Sequence, residues 1–364
     1  MATFSYKCPN CSASLTYRPQ LKKMKCDFCL SEFTAEEIDN YIKNNPDRVI
    51  SDFNEEAVQD TILKDESWNH GKKIDQIHGY NCQNCGAEVV TTDTTITSFC
   101  YYCHSPVVLV DKTQGAFRPN LLIPFKIEKE KAENLFLQWA KKKRYVRKDF
   151  YSNSQLEKLT GMYLPYWALN AEFEINLDAT AYKRRIYSSG NREYTETQEY
   201  KIERAGKYEI NNLTELAYSK IDKRLLHSIT PFDFGDLEDF RIFYLNGFFS
   251  ESYDVSYNQV ELELKNQAQN YTNKYIKDQL APYHDYKLNK KEIKAIDYKG
   301  SYLLLPTWLL TYDYQNKKYI YALNGQTGKA YGELPIDKKL IARDAAIAGL
   351  VIFILMLLGG WFIW

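Results

Sequence analysis

Cysteine spacing constrains the fold of this chain more than any other feature. All eight cysteines lie before residue 104 of a 364-residue sequence. They form two quartets with one shared pattern, in which two C-x-x-C pairs are separated by fourteen residues. A spacing that repeats without an insertion predicts two copies of one small unit. The first quartet is Cys8, Cys11, Cys26 and Cys29, and the second is Cys82, Cys85, Cys100 and Cys103.

The chemistry of these quartets favours a bound metal ion. A C-x-x-C pair turns both sulfurs toward one ion, and a second pair completes a tetrahedron of thiolates around Zn²⁺. Because each quartet supplies four ligands, neither site keeps an open position for water, and the sequence predicts two structural zinc ions. Disulfide or redox pairs are the alternative, which a cytosolic setting disfavours. Iron is the alternative metal.

Both units resemble zinc ribbons, with the knuckles KCPNCSA, KCDFCLS, NCQNCGA and FCYYCHS. A small residue normally follows the second cysteine of a knuckle, whereas Leu30 and His104 stand there in this chain. His104 could replace a cysteine ligand, but four cysteines per site make it a bystander. We expect one ribbon over residues 1–33 and the other over 80–111. The polar residues 34–79 between them are predicted to be a linker with one short helix, capped by Thr34.

The carboxyl terminus carries a long apolar run. Residues 345–364 include no charged side chain, and a helix of this length spans about 30 Å, the thickness of a bilayer's hydrocarbon core. A buried core helix is the alternative, but it leaves the all-round apolar surface unexplained. Basic residues before the run and tryptophans at its far end orient residues 1–344 in the cytoplasm. The sequence predicts a tail-anchored, single-pass membrane protein in contact with the lipid bilayer.

Residues 117–336 have a different composition from the cysteine-rich units. The chain contains 30 Tyr and 18 Phe, which favour half-buried strands. Helical spacing over 128–143, and again through Val260, Leu264 and Ala268, predicts two amphipathic helices. Strands are predicted over 173–177 and 241–243, and a tyrosine-lined hairpin around 312–321. Helices and antiparallel strands are mixed, so we expect an α+β cytosolic domain between the ribbons and the transmembrane helix.

A weak internal repeat lies within this domain. LPYWALNAEF at 164–173 resembles LPTWLLTYDY at 305–314, and each copy enters a predicted strand directly after a proline. Pro165 matches Pro306, and Trp167 matches Trp308. A true duplication predicts that both tryptophans are buried in equivalent strands. Chance similarity in an aromatic-rich sequence is the alternative.

Several functional classes are disfavoured. The 47 basic residues balance 47 acidic ones, and the threonine-rich second loop, AEVVTTDTTITS, has acids without a base, which argues against nucleic-acid binding. The segment NGQTGKAYG at 324–332 lacks the residues of a phosphate-binding P-loop. The five histidines show no H-E-x-x-H spacing, and no G-x-S-x-G motif occurs, so no enzyme is predicted. A membrane-tethered nucleic-acid-binding factor and an uncharacterised membrane-associated enzyme are the alternatives.

Longer motifs suggest a family. The ribbons, IPFKIEKEKAENLFLQWAKK, YLPYWAL, LPTWLLTYDYQNKKYIYALNGQTGKAYGELP and the apolar terminus together resemble the YdjG-like bacterial tail-anchored zinc-ribbon proteins. Members are often labelled TFIIB-type zinc-ribbon or primosomal-helicase-like proteins, but this chain has no helicase motif. The resemblance implies an adaptor or scaffold that recruits protein partners to the cytoplasmic membrane face during envelope stress. It also implies the partner types, an SPFH-like or virion-core-like protein and a PspA-type protein.

Overall fold

The computed structural model describes residues 3–45, 77–82, 88–92, 94–100, 103–109, 113, 118–146, 150, 156–314 and 317–363. Strands account for 44% and helices for 28% of the described residues. The α-helices in this described part are α1 (Ala35–Asn44), α2 (Lys129–Lys141), α3 (Lys223–Ser228), α4 (Tyr257–Leu280) and α5 (Lys338–Ile363), and 3-10 helices cover Phe234–Asp236 and Ile242–Leu245. The strands are β1 (Thr3–Phe4), β2 (Leu15–Arg18), β3 (Lys23–Cys26), β4 (Glu32–Phe33), β5 (Ile77–Asn81), β6 (Glu88–Thr92), β7 (Thr95–Phe99), β8 (Pro106–Leu109), β9 (Leu121–Leu122), β10 (Thr160–Ser189), β11 (Arg192–Leu216), β12 (Glu238–Asp239), β13 (Phe249–Glu251), β14 (Asp285–Tyr314), β15 (Lys317–Asn324) and β16 (Ala330–Gly332).

One large sheet organises the molecule. Its main path runs β1-β8-β7-β13-β10-β14-β15-β16, and β11 pairs with β10 beyond the short β13. Strands β10 and β14 are antiparallel from Thr160 opposite Leu309 to Tyr182 opposite Asp285. Because β1, β7 and β8 come from the cysteine-rich segments, those segments extend the central sheet.

The main core lies where α2 and α4 cover this sheet. Helix α4 begins with a capping box, in which the Ser256 and Gln259 side chains satisfy each other's backbone N–H groups. It buries Val260, Leu264 and Ala268 at helical spacing. Both predicted amphipathic helices are therefore present. Helix α2 is narrower than the predicted 128–143, and α4 extends beyond the predicted positions Val260 to Ala268 at both ends.

The predicted fold class is wrong in two respects. The chain is mostly β-sheet rather than a balanced α+β fold, because β10, β11 and β14 are each 25 to 30 residues long. Such lengths exceed the usual strand severalfold, and short sequence windows do not show them. The predicted strand at 241–243 is also wrong: Ile242–Leu245 is a 3-10 helix.

The predicted tail anchor is a second correction. Among the residues that the structure describes, no helix combines the length and apolar character needed to cross a bilayer. Helix α5 begins at Lys338, so its first two turns carry charged side chains. A transmembrane helix, a tail-anchored topology and a single-pass membrane location are thus not supported.

Both repeat tryptophans are buried, as predicted. Trp167 on β10 is 0% exposed and Trp308 on β14 is 4% exposed. The equivalent residues Leu164 and Leu305 lie directly opposite each other, so a local two-fold axis relates the two motifs. Each indole Nε1 donates to a backbone oxygen one residue before a helix N-cap: Trp167 to Val255 O (2.7 Å) and Trp308 to Ile127 O (2.9 Å).

Candidate metal centre

The first cysteine quartet converges on one point. The sulfurs of Cys8, Cys11, Cys26 and Cys29 all lie within 4.8 Å of one another. The Sγ–Sγ distance is 3.5 Å both for Cys8–Cys29 and for Cys11–Cys26. Disulfide sulfurs are about 2.05 Å apart, whereas four thiolates about 2.3 Å from a zinc ion are separated by about 3.8 Å. The spacing fits a tetrahedral metal site and excludes a disulfide.

The second quartet is described in three of its four members. Cys82, Cys100 and Cys103 form a cluster, with Cys82 and Cys103 sulfurs 3.7 Å apart. Cys85 lies outside the described residues. This cluster could also hold a metal ion, and the predicted bystander His104 is not one of its members.

Local backbone geometry explains why the cysteine pairs converge. In three knuckles the first cysteine's N–H donates to the carbonyl five residues on, and its own carbonyl accepts from the N–H four residues on. The residue four positions after that cysteine has positive φ: 61° at Ser12, 62° at Leu30 and 55° at His104. This left-handed turn folds the C-x-x-C segment around the position that a metal ion would occupy, and Leu30 and His104 adopt a conformation that usually favours glycine.

Thiol ionisation differs within the first quartet. Hydrogen bonding with the side chain and backbone of Ser31 lowers the pKa of Cys29 to about 6. The Ala13 backbone lowers the pKa of Cys11, but desolvation and the neighbouring thiols outweigh it and raise that pKa to about 12. Burial raises the pKa of Cys8. A metal ion must therefore displace protons from some of these thiols when it binds.

The first ribbon is built into the main core. The buried side chains on one face of its three-stranded sheet are Leu15, Tyr17 and Met24. The ring of Tyr17 packs edge-on against the ring of Phe243, with 5.4 Å between the ring centroids. Asn246 makes two hydrogen bonds to the same strand. Its side-chain Nδ2 donates to Leu15 O, and its backbone carbonyl accepts from Tyr17 N. A metal in this quartet would thus support packing well beyond the ribbon.

The two ribbons also contact each other. Ser14 Oγ donates to Ser105 Oγ at 3.0 Å, which joins a knuckle of the first ribbon to one of the second. Strand β1 pairs with β8, Thr3 opposite Leu109. Between the ribbons, α1 begins at the predicted cap, where Glu37 N donates to Thr34 Oγ1 at 3.2 Å. Residues 46–76 of the predicted linker lie outside the described part.

A feature that the sequence interpretation missed is the apolar tip of the first ribbon. Phe28 and Leu30 flank Cys29 and are 82% and 68% exposed. The signal was present, since Leu30 occupies a position where a small residue is usual. Large apolar side chains held outward on a rigid turn are typical of a protein-binding surface.

The basic residues of the first ribbon are partly neutralised. Arg18 Nη2 lies 2.6 Å from Asp27 Oδ1, and Lys23 Nζ lies 3.8 Å from Glu32 Oε2. Paired cations give less attraction to phosphates than free ones do. The geometry gives no added support to a nucleic-acid interface.

A cavity of about 340 Å³ lies between β2 and the central sheet. Aromatic rings, among them Tyr17 and Trp308, form its walls, and Glu128, Lys129 and Glu157 are among its polar residues. No histidine, cysteine or serine is among the described residues that line it.

A curated protein described as "Uncharacterized protein YdjG", from Bacillus subtilis (strain 168), is similar to this chain. It is 28% identical over 346 residues, which cover 95% of this chain and 94% of the relative. No family model matches the chain. No solved structure matches it either. The predicted resemblance to YdjG is confirmed, but that description assigns no zinc ribbon, anchor or activity.

Proposed function

We propose that the chain is a non-enzymatic scaffold, held together by two structural zinc ions, that binds protein partners. The observation that carries this proposal is the exposed apolar pair Phe28 and Leu30 on the second knuckle of the first ribbon. A metal-bound turn holds such a pair in one orientation, which lowers the entropy lost on binding.

The closed cysteine sites support the same conclusion. In the first site all four ligands are protein thiolates, so a zinc ion there has no position for water or substrate. The ion would bind the knuckles together without taking part in a reaction. The second site has the same sequence pattern, and we assign it the same role.

The family resemblance supplies the candidate partners, an SPFH-like or virion-core-like protein and a PspA-type protein. A partner surface that fits this knuckle must be apolar at its centre, because Phe28 and Leu30 would be desolvated on binding. Nearby charges such as Asp27 and Lys25 would form the polar rim.

Direct binding to purified candidate partners tests the proposal. The double variant Phe28→Ala/Leu30→Ala should lower affinity for the partner at least tenfold while the zinc content stays at two per chain. Leu262→Ala is the matched control, because Leu262 is 71% exposed on α4, away from both cysteine clusters. It should bind like the unaltered chain.

Two outcomes would contradict the proposal. Unchanged partner affinity in the double variant would remove the knuckle tip from the interface. Specific, salt-sensitive DNA or RNA binding by the unaltered chain, together with no partner binding, would favour the nucleic-acid alternative.

A further inference from the structure

The hairpin of β10 and β11 projects beyond the rest of the sheet. Strand β14 leaves β10 at Tyr182, so from Lys183 to the turn at Gly190 only two strands remain. Within the described part of the chain, β11 pairs with β10 alone, and its other edge carries unpaired backbone N–H and C=O groups. Isolated two-stranded ribbons are marginally stable in water.

This edge is unusually regular. From Arg192 to Ile210 the register of β11 with β10 has no interruption. The outer edge of β14 differs, because bulges at Asn289 and Ile296 break its register. Bulges are a common way to prevent an edge strand from pairing with another chain. Strand β11 has no such protection over these residues, so it can accept a further strand.

The charges along β11 form a mirrored pattern about Tyr200. Three acids precede this tyrosine and three bases follow it, at the same distances of one, four and seven residues. If two β11 strands pair antiparallel with their Tyr200 residues opposite each other, each of these three acids faces a base of the second copy, and Glu203 faces Thr197. The pairs are Glu199 with Lys201, Glu196 with Arg204, and Glu193 with Lys207, each formed twice.

Backbone geometry restricts the possible registers. In an antiparallel strand, alternate residues direct both backbone groups toward the same neighbour, so β11 offers every second residue to a new strand. The centre of a symmetric pair must then fall on a residue. A centre at Glu199 or at Lys201 would place like charges opposite each other, which is destabilising. Tyr200 avoids this conflict.

The charged side chains on this strand are accessible. All six are exposed. Glu193 and Glu199 have no ion-pair partner among the described residues, whereas Lys201 pairs with Glu203 and Lys207 with Glu172 on the exposed surface of one copy. Ile202 packs under α4 with Ile276, which places the even-numbered residues of β11 on the helix face of the sheet. Glu196 and Arg204 therefore lie on the helix face. The odd-numbered residues Glu193, Glu199, Lys201 and Lys207 lie on the open face.

We propose that two copies of this chain pair edge to edge through β11, with a two-fold axis at Tyr200, and form one continuous sheet. Such an interface is self-complementary, as a two-fold dimer requires. The second copy is the occupant that the charge pattern selects, because the three acids before Tyr200 match the three bases after Tyr200 in an identical strand.

Cysteine cross-linking of the full chain tests the register. At the axis the two Tyr200 Cα atoms would be about 4.5–5.5 Å apart, within disulfide range. Tyr200→Cys should give a reducible species of twice the mass on a non-reducing gel. Gln198→Cys is the control: it would face Ile202 of the second copy, about 13 Å from its own equivalent, and should stay single. The unaltered chain controls for the eight native cysteines.

Charge reversal tests the pairing itself. The variant Glu193→Lys/Glu196→Lys/Glu199→Lys should be monomeric, and so should Lys201→Glu/Arg204→Glu/Lys207→Glu. Mixed together, the two variants should restore a dimer that contains one chain of each. Reversal of Lys287, Lys290 and Lys294 on β14 adds the same charge outside the interface and should leave the dimer intact. Equal cross-linking at positions 198 and 200, no cross-link at either, or no dimer in the mixture would overturn the proposal.

Discussion

At the residue scale, the knuckles depend on left-handed backbone positions that this sequence fills with large side chains. His104 has φ 55° and donates its N–H to Cys100 O at 2.9 Å. An L-residue in this region costs about 1–2 kcal/mol, and glycine avoids most of that cost. The imidazole of His104 is exposed and lies outside the cysteine cluster.

His104→Gly should therefore raise the free energy of unfolding by about 0.5–1 kcal/mol, measured by thermal or denaturant unfolding. His104→Ala is the control, since it removes the imidazole but keeps the Cβ, and it should give no such gain. Both variants should retain two zinc ions per chain. Loss of a metal ion in either one would make His104 a ligand.

At the element scale, the two proline–tryptophan motifs connect the central strands to the helices. Each tryptophan lies on one long strand, and its indole donates to the residue just before the cap of α2 or α4. The side chain thus fills the core and satisfies a backbone carbonyl at a helix entry. The ring centroids of Trp167 and Tyr302, on neighbouring strands, are 5.2 Å apart, and those of Trp308 and Phe125 are 5.4 Å apart.

Replacing Trp167 or Trp308 with Ala should lower the free energy of unfolding by about 3–5 kcal/mol in each case, because a large aromatic leaves a packed core. Chemical denaturation measures the change. Tyr331→Ala, at a position 49% exposed on β16, should cost less than about 0.5 kcal/mol. A cost below about 1 kcal/mol for only one tryptophan would show that the two motifs are not structurally equivalent.

At the scale of the whole molecule, the two cysteine clusters have different surroundings. Cys8 and Cys26 belong to the main hydrophobic core, whereas Cys82 and Cys100 belong to a separate small cluster with Tyr80, Val107 and Leu109. Loss of the first site should therefore disturb packing across the central sheet. Loss of the second should affect mainly its own ribbon.

Cys26→Ser and Cys100→Ser should each remove one zinc ion per chain, as metal analysis can measure. By calorimetry, Cys26→Ser should destabilise the main unfolding transition by about 3 kcal/mol or more, since loss of a metal is among the largest single-residue effects. Cys100→Ser should shift that transition less. Equal shifts in the two variants would contradict the unequal roles of the sites.

Local sequence signals succeeded where the structure depends on neighbouring residues. The cap at Thr34 followed from side chains within three positions, and the burial of Trp167 and Trp308 followed from the repeated proline–tryptophan motif. The C-x-x-C spacing correctly predicted that the first quartet converges on one point, because each knuckle is a short turn. The same local view failed at Ile242 and Phe243, whose helical turn packs against Tyr17, more than two hundred residues away in the chain.

The sequence by itself determined the cysteine quartets, the helix cap and the apolar positions of the strands, because these depend on residue type and short spacing. Only the tertiary structure decided that β10, β11 and β14 continue for 25 to 30 residues and that β1 pairs with β8 across more than one hundred positions. It also decided that the first ribbon is part of the main core. Strand length and docking depend on backbone hydrogen bonds and buried contacts between distant segments, which composition and periodicity do not encode.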